Sequence, residues 1–418
     1  MRKRYTRLLA LLLTAPLLLA GCASAEQTSS IEETEPVTEA TTEPPTTEPP
    51  STEPPTEPPV VLDREMTLEE KIYQMFIVTP EMLTKVNKVQ SAGDSTNAAL
   101  AEQHVGGLIY FSDNMRSFSQ TRDMLQFTQD YALSDGDIGV FLAVHEEGGT
   151  IANCGNKLGT SQLDTMDVIG SRNNGPEAKE VGQTLGRTLS VLGFNVDFAP
   201  VANVNVNLTA DEELATRLFG STPDVVSTMT ENVVTGIQEE GKVAATLKYF
   251  PGIGETNEEG KLVLNRSLDQ LRQTEFIPFQ KGIEAGADFV MVSHATVTGV
   301  SDGKPASLSP TVCTDLLRGE LGFQGIIVTD SMQKNEIAAN YEPGEAAVLA
   351  IEAGADIILM PAKLDEAVTA VQEAVESGRI SENRINQSVK RILDEKKKLD
   401  IYERIEPETE EPSETTAE

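Results

Sequence analysis

Positive charge is what this chain has least of: 33 lysines and arginines stand against 66 aspartates and glutamates in 418 residues, a formal net charge of −33. No basic patch with interleaved aromatic residues occurs, which excludes a nucleic acid as partner. Cysteine is scarce as well. There are three, with no Cys-x-x-Cys pair, and the three histidines, His104, His145 and His294, lack metal-ligand spacing. No metal or other cofactor is expected. One long apolar run exists, Leu8–Ala20, and it is too short to suit a bilayer-spanning helix. A glycine-rich phosphate loop after the first strand is missing, which argues against a nucleotide-binding doubly wound sheet.

The two ends carry much of the acidity. Residues 1–21 read as a bacterial lipoprotein signal peptide: a basic start, Met1-Arg-Lys-Arg-Tyr-Thr-Arg7, the apolar run, and then Leu19-Ala20-Gly21-Cys22 in the pattern of a lipobox. Cleavage before Cys22 would place lipid on that residue and anchor the protein to the outer face of the bacterial membrane without a spanning helix. Residues 22–60 form a Thr/Glu/Pro-rich tether that cannot bury a core and is kept extended by proline. Residues 403–418 have the same composition. The charge therefore reads as solvation of two disordered ends.

Between them, residues 61–402 alternate strand-like apolar runs with amphipathic helical stretches. The runs are 75–78, 107–111, 140–144, 195–199, 244–248, 289–293, 326–329 and 356–360; helices are expected over 179–192, 223–240, 271–285 and 345–353. About eight strand–helix units point to a single α/β domain of the TIM-type (β/α)8 barrel kind, with an open sheet as the alternative. Polar residues recur just past the strand ends: His145, Glu146 and Glu147, then Asn203, Lys248, His294 and Asp330. In a parallel barrel that edge gathers catalytic groups. Asp330, directly after Ile326-Ile-Val-Thr329, suits a carboxylate that attacks a sugar carbon. The plainer reading makes it the cap of the next helix.

Several segments in one order then resemble a known family. They are Glu147-Gly-Gly149, Phe198-Ala-Pro-Val201, Arg217-Leu-Phe-Gly220, Lys248-Tyr-Phe-Pro-Gly252, Pro305-Ala-Ser-Leu-Ser309 and Val328-Thr-Asp-Ser-Met332. From Met66 to Leu393 the chain resembles the glycoside hydrolase family 3 N-terminal domain, in particular its single-domain β-N-acetylhexosaminidase branch that acts on cell-wall sugars. The resemblance implies a β-linked carbohydrate substrate cleaved with retention and Asp330 as nucleophile. It also implies Arg217 and Lys248 as holders of sugar hydroxyls, with Tyr249, His145 and His294 beside them. Plainer readings make Arg217 a surface pair and Lys248 a strand-end salt bridge.

The chain also departs from the family's pattern. The family's Lys-His-Phe-Pro-Gly-His-Gly, with a following Asp-Ser-His that serves as acid/base, is here Lys248-Tyr-Phe-Pro-Gly-Ile-Gly254 followed by Glu259-Gly-Lys261. The usual Asp-Gln-Glu-Gly-Gly is His145-Glu-Glu-Gly-Gly149, and Thr150 replaces the arginine after it. An imidazole gives and takes a proton near neutrality; an ordinary lysine does not. Two readings follow. In one, a glutamate takes over as acid/base, Glu259 first, with Glu255 and Glu258 close by. In the other, the barrel binds glycans without turning them over.

Overall fold

The computed structural model describes residues 58–135, 138–206, 211–239 and 242–403. The signal peptide, Cys22, and nearly all of the tether and acidic tail lie outside the described residues. Eight short strands run parallel: β1 (Phe76–Val78), β2 (Gly107–Ile109), β3 (Phe141–Val144), β4 (Val196–Asp197), β5 (Ala244–Phe250), β6 (Phe289–Val292), β7 (Ile326–Thr329) and β8 (Ile358–Leu359). Their order in the sheet is β7-β6-β5-β4-β3-β2-β1-β8. A bridge from Val328 to Ile357 brings the two ends together, with the Thr329 N–H donating to the Ile357 carbonyl at 3.0 Å. Each expected apolar run supplies one strand of a nearly closed TIM-type barrel. The open sheet is excluded because the Val328–Ile357 bridge joins β7 and β8, the two ends of the strand order.

Burial explains the continuous apolar runs. Strands covered by helices outside and packed inside have no solvent face to alternate for, and Ile326, Ile327 and Val328 are at most 1% exposed. Phe141 and Phe289 meet edge to face across the interior, centroids 5.5 Å apart, from strands separated by two others. Below them Lys396, on the helix Glu382–Lys398, reaches under the barrel. Its Nζ lies 5.1 Å from the Phe141 ring and donates to Gln74 Oε1 at 2.6 Å.

One expected helix is two. The stretch 271–285 holds Leu268–Gln273 and Phe276–Glu284, interrupted at Thr274 (φ −132°, ψ −75°). Pro278 gives the reason: it has no N–H for the Thr274 carbonyl and its ring would clash there, so the chain restarts and puts the proline in a first turn. The restart lets Glu275 turn inward to Arg266, with 3.2 Å between Nε and Oε1.

Asp356 locks β8 against β7 at the end of the barrel opposite the site. Fully buried, its carboxylate accepts from the Ile327 N–H at 2.9 Å, from Ser388 at 2.6 Å and from Arg391 at 3.0 Å, and pairs with Arg318. Removing such an anion strands its buried cations. Asp356→Ala should cost about 3–5 kcal/mol in chemical denaturation; a loss below about 1 kcal/mol would show that the cluster does not hold the closure.

Candidate active site

The carboxyl ends of the strands open into a cavity of about 720 Å³, whose walls include Arg217, Tyr249, Glu255, Ser293, Asp330 and Lys334. Asp330 leaves β7 with its side chain only 10% exposed. Oδ1 accepts from the Ser331 N–H at 2.7 Å and Oδ2 from Lys334 Nζ at 2.6 Å. Burial by itself would raise this carboxyl. Lys334, joined by the Ser331 N–H, outweighs burial and holds it below the usual aspartate range, so it is an anion at neutral pH. It caps nothing: the next helix, Asn335–Ala338, has Lys334 at its N-cap position and no side-chain cap.

Behind this wall lies a second charged group that sequence reasoning passed over. Glu147, 2% exposed, receives Arg217 Nε and Nη2, each at 2.7 Å, and is paired with Lys248 Nζ. Its placement follows from the chain. After β3 the hairpin Glu146–Gly148/Ile151–Ala152 turns at Gly148 (φ +89°) and Gly149 (φ +57°), where a side chain would be strained. Arg217 is fixed by its buried neighbours Leu218 and Phe219. Burial would raise Glu147, but Lys248 and Arg217 draw it down to about 2. The signal for it lay in the motif Glu147-Gly-Gly149 itself, a carboxylate beside a tight turn at a strand end.

Tyr249 joins the two charged groups. Its hydroxyl accepts from Arg217 Nη2 at 3.0 Å, and its ring lies 5.1 Å from Lys248 Nζ, 5.4 Å from Lys334 Nζ and 5.6 Å from the Arg217 guanidinium carbon. Asn203 fixes its backbone, accepting from the Tyr249 N–H at 3.3 Å and donating to its carbonyl at 3.2 Å. A ring faced by three cations separates their charges and attracts each of them. Lys334, missed in the sequence, stands four residues beyond Asp330.

Four of the expected site residues sit elsewhere. Lys248, 1% exposed, stands one layer behind Tyr249 and pairs with Glu147, as the plainer reading had it. His145 lies beside it, Nδ1 3.2 Å from Lys248 Nζ, its ring against Phe111 and Phe198. Burial, then the neighbouring ammonium, push this imidazole down to about 3, so it is neutral and accepts from the lysine. His294 is buried, with Nδ1 2.7 Å from Ser307 Oγ and Nε2 donating to the Ser331 carbonyl at 3.0 Å. Both ring nitrogens are occupied, Nε2 in holding the Asp330 loop and Nδ1 on Ser307, and none is left for a sugar. Glu259 is the fourth. It lies at the tip of a hairpin, 71% exposed, with Lys261 at 3.0 Å. Asn257 Oδ1 closes the tip on the Glu259 and Lys261 N–H groups at 3.0 and 2.9 Å, and Gly260 takes φ +77°. Counting along the motif puts Glu259 in the acid/base place; the turn carries it out of the cavity wall. Glu255, at the hairpin's base, lines the cavity instead.

Residues 67–394 match the glycosyl hydrolase family 3 N-terminal domain. A β-hexosaminidase of Stenotrophomonas maltophilia is 32% identical over 287 residues, covering 65% of this chain and 82% of the relative. β-Hexosaminidase A of Pseudoalteromonas piscicida is 28% identical over 327 residues, 72% of this chain, and the chain spans only 54% of that protein's length. Among solved structures, a family 3 β-N-acetylglucosaminidase from Paenibacillus sp. FPU-7 superposes with a TM-score of 0.75 at 32% identity, over 85% of this chain and 66% of the other. The chain belongs to glycoside hydrolase family 3, and its relatives are β-hexosaminidases.

The Glu147 clasp has a pH signature. Its folded-state pKa, about 2, lies below the ordinary 4.5, so its contribution is complete above the ordinary value and is lost as pH falls towards 2. Glu147→Gln should cost about 3–5 kcal/mol at neutral pH. The gap from the parent should narrow as pH drops through that window; a gap independent of pH would reject the assignment.

Proposed function

We propose that this protein is a lipid-anchored, extracytoplasmic glycosidase that hydrolyses β-linked amino sugars of cell-wall type with retention, Asp330 being the nucleophile. One observation carries this reading: an anionic Asp330, held by Ser331 and Lys334, stands in the wall of a cavity at the carboxyl edge of the barrel. The relatives named above support the choice of sugar. Arg217 and Tyr249 face the same space and offer donors to hydroxyl groups, while Lys248 and His145 support them from behind. Attack of an Asp330 oxygen on the anomeric carbon breaks the glycosidic C1–O bond, releases the aglycone as its alcohol and forms a glycosyl ester, which water then hydrolyses to the free sugar.

Asp330→Asn keeps the shape and removes the nucleophile. Turnover of an aryl β-N-acetylglucosaminide should fall at least ~1,000-fold, roughly 4 kcal/mol of barrel-edge chemistry, with the melting temperature little changed. Unaltered turnover would reject Asp330. A second reading, glycan binding without turnover, draws on the Lys334 pair, which already occupies the nucleophile. It predicts parent turnover no higher than that of Asp330→Asn, together with measurable affinity for the sugar. For the anchor, Cys22→Ala should move the protein from the membrane fraction to the medium; retention in the membrane would sink the lipobox reading.

A further inference from the structure

The loops after β5 and β6 are one piece of structure. Glu255–Thr256 pairs antiparallel with Leu262–Leu264, and that strand pairs parallel with Thr296–Val297 beyond β6. Ser293 Oγ, from the end of β6, donates to the Gly252 carbonyl at 2.8 Å. Gly254 (φ +76°) is pressed so closely on Ala295 and the Val263 carbonyl that a Cβ would lie 2.9 Å from each. The returning strand is pinned further on by the buried Arg266–Glu275 pair. Glu255 therefore projects from a backbone that is fixed on three sides. Among the described residues its exposed carboxylate has no hydrogen bond or ion pair.

We infer that Glu255 is the general acid/base of this barrel, an assignment that rests on the hydrolase reading above. It shares the cavity with Asp330. The strands that lead to the two residues, β5 and β7, are separated by one neighbour, about 10 Å of backbone at ordinary strand spacing. Glu255 itself stands five residues past the end of β5, so the assignment requires its hairpin to bring the carboxyl to the ~5–5.5 Å from Asp330 that a retaining pair needs. Two other carboxylates without capping duties line the cavity, Glu213 and Glu336. Each is carried on a helix of only four residues, and Glu336 rises from the nucleophile's own loop. Neither has the sheet that fixes Glu255.

In the first step the Glu255 carboxyl gives its proton to the glycosidic oxygen as the C1–O bond breaks and an Asp330 oxygen bonds to C1. In the second, the Glu255 carboxylate takes a proton from water while the water oxygen bonds to C1 and Asp330 leaves. The sum is hydrolysis, with both carboxyl groups returned to their starting states.

The test uses the purified protein and aryl β-N-acetylglucosaminides with poor (phenyl) and good (2,4-dinitrophenyl) leaving groups. Glu255→Gln should lose at least ~100-fold in kcat/KM on the phenyl substrate and less than ~5-fold on the dinitrophenyl one, whose departure needs no proton. Glu255→Ala should be accelerated by azide, which opens the Asp330 ester without a base, and should yield the β-glycosyl azide. Equal losses on both substrates with no azide product would overturn the assignment while leaving the hydrolase intact. So would the same signature in Glu213→Ala, Glu259→Ala or Glu336→Ala. A parent protein no faster than Asp330→Asn on either substrate brings down the hydrolase reading, and Glu255 with it.

Discussion

A single buried carboxylate, Glu147, sets the terms for the rest of the site. An anion taken out of water is tolerated only when charge and hydrogen bonds replace the lost solvent, and here Arg217 does so from the segment after β4 and Lys248 from the end of β5. The requirement works in both directions, because among the described residues neither cation has an ion pair with another carboxylate. Three loops are thereby fixed relative to one another: the Gly-Gly hairpin after β3, the Arg217-Leu-Phe-Gly220 segment after β4 and the end of β5. Tyr249 then has one conformation that serves all its neighbours, and its ring presents a settled surface to the cavity.

Next to this rigid corner Asp330 is held more lightly. Asp330 has one backbone donor and one lysine, and Lys334 is half exposed at 48%. A partner of that kind is screened by solvent and costs little to displace, so a sugar entering the cavity can compete for it. The contrast between a deeply clasped Glu147 and a reachable Asp330 separates architecture from chemistry within a few residues. It also explains what became of the histidines. His145 and His294 are buried and neutral, and each is committed to a neighbour, one to Lys248 and one to the Ser331 carbonyl. They shape the site and transfer no proton.

On the proposed hydrolase reading proton transfer comes from another group, and the small sheet joining the loops after β5 and β6 is where the chain departs from the Asp-His pattern that the family resemblance implies. A hairpin closed by Asn257 and Gly260 stands where the family resemblance implies an Asp-His pair. Hairpin geometry sends tip residues to solvent and keeps base residues near the barrel. A glutamate at the base therefore stands where chemistry is, and one at the tip where water is.

The sequence by itself determined the barrel, because eight doubly buried strands leave an apolar run that no exposed strand would show. It also determined the strand-end position of Asp330 and Lys248, since the edge of a parallel strand is where such a run stops, whereas Arg217 and Tyr249 came only from the family resemblance. Tertiary structure alone decided depth. Whether a residue past a strand end faces the cavity or stands a layer behind depends on side chains from other loops, as with Lys248 behind Tyr249. Whether Glu255 or Glu259 meets Asp330 depends on a turn that position counting ignores. Residues 282 and 285 likewise looked continuous with 271 until Pro278 forced a break. Local chemistry is written along the chain, whereas distance between loops arises only when the barrel brings them to one edge.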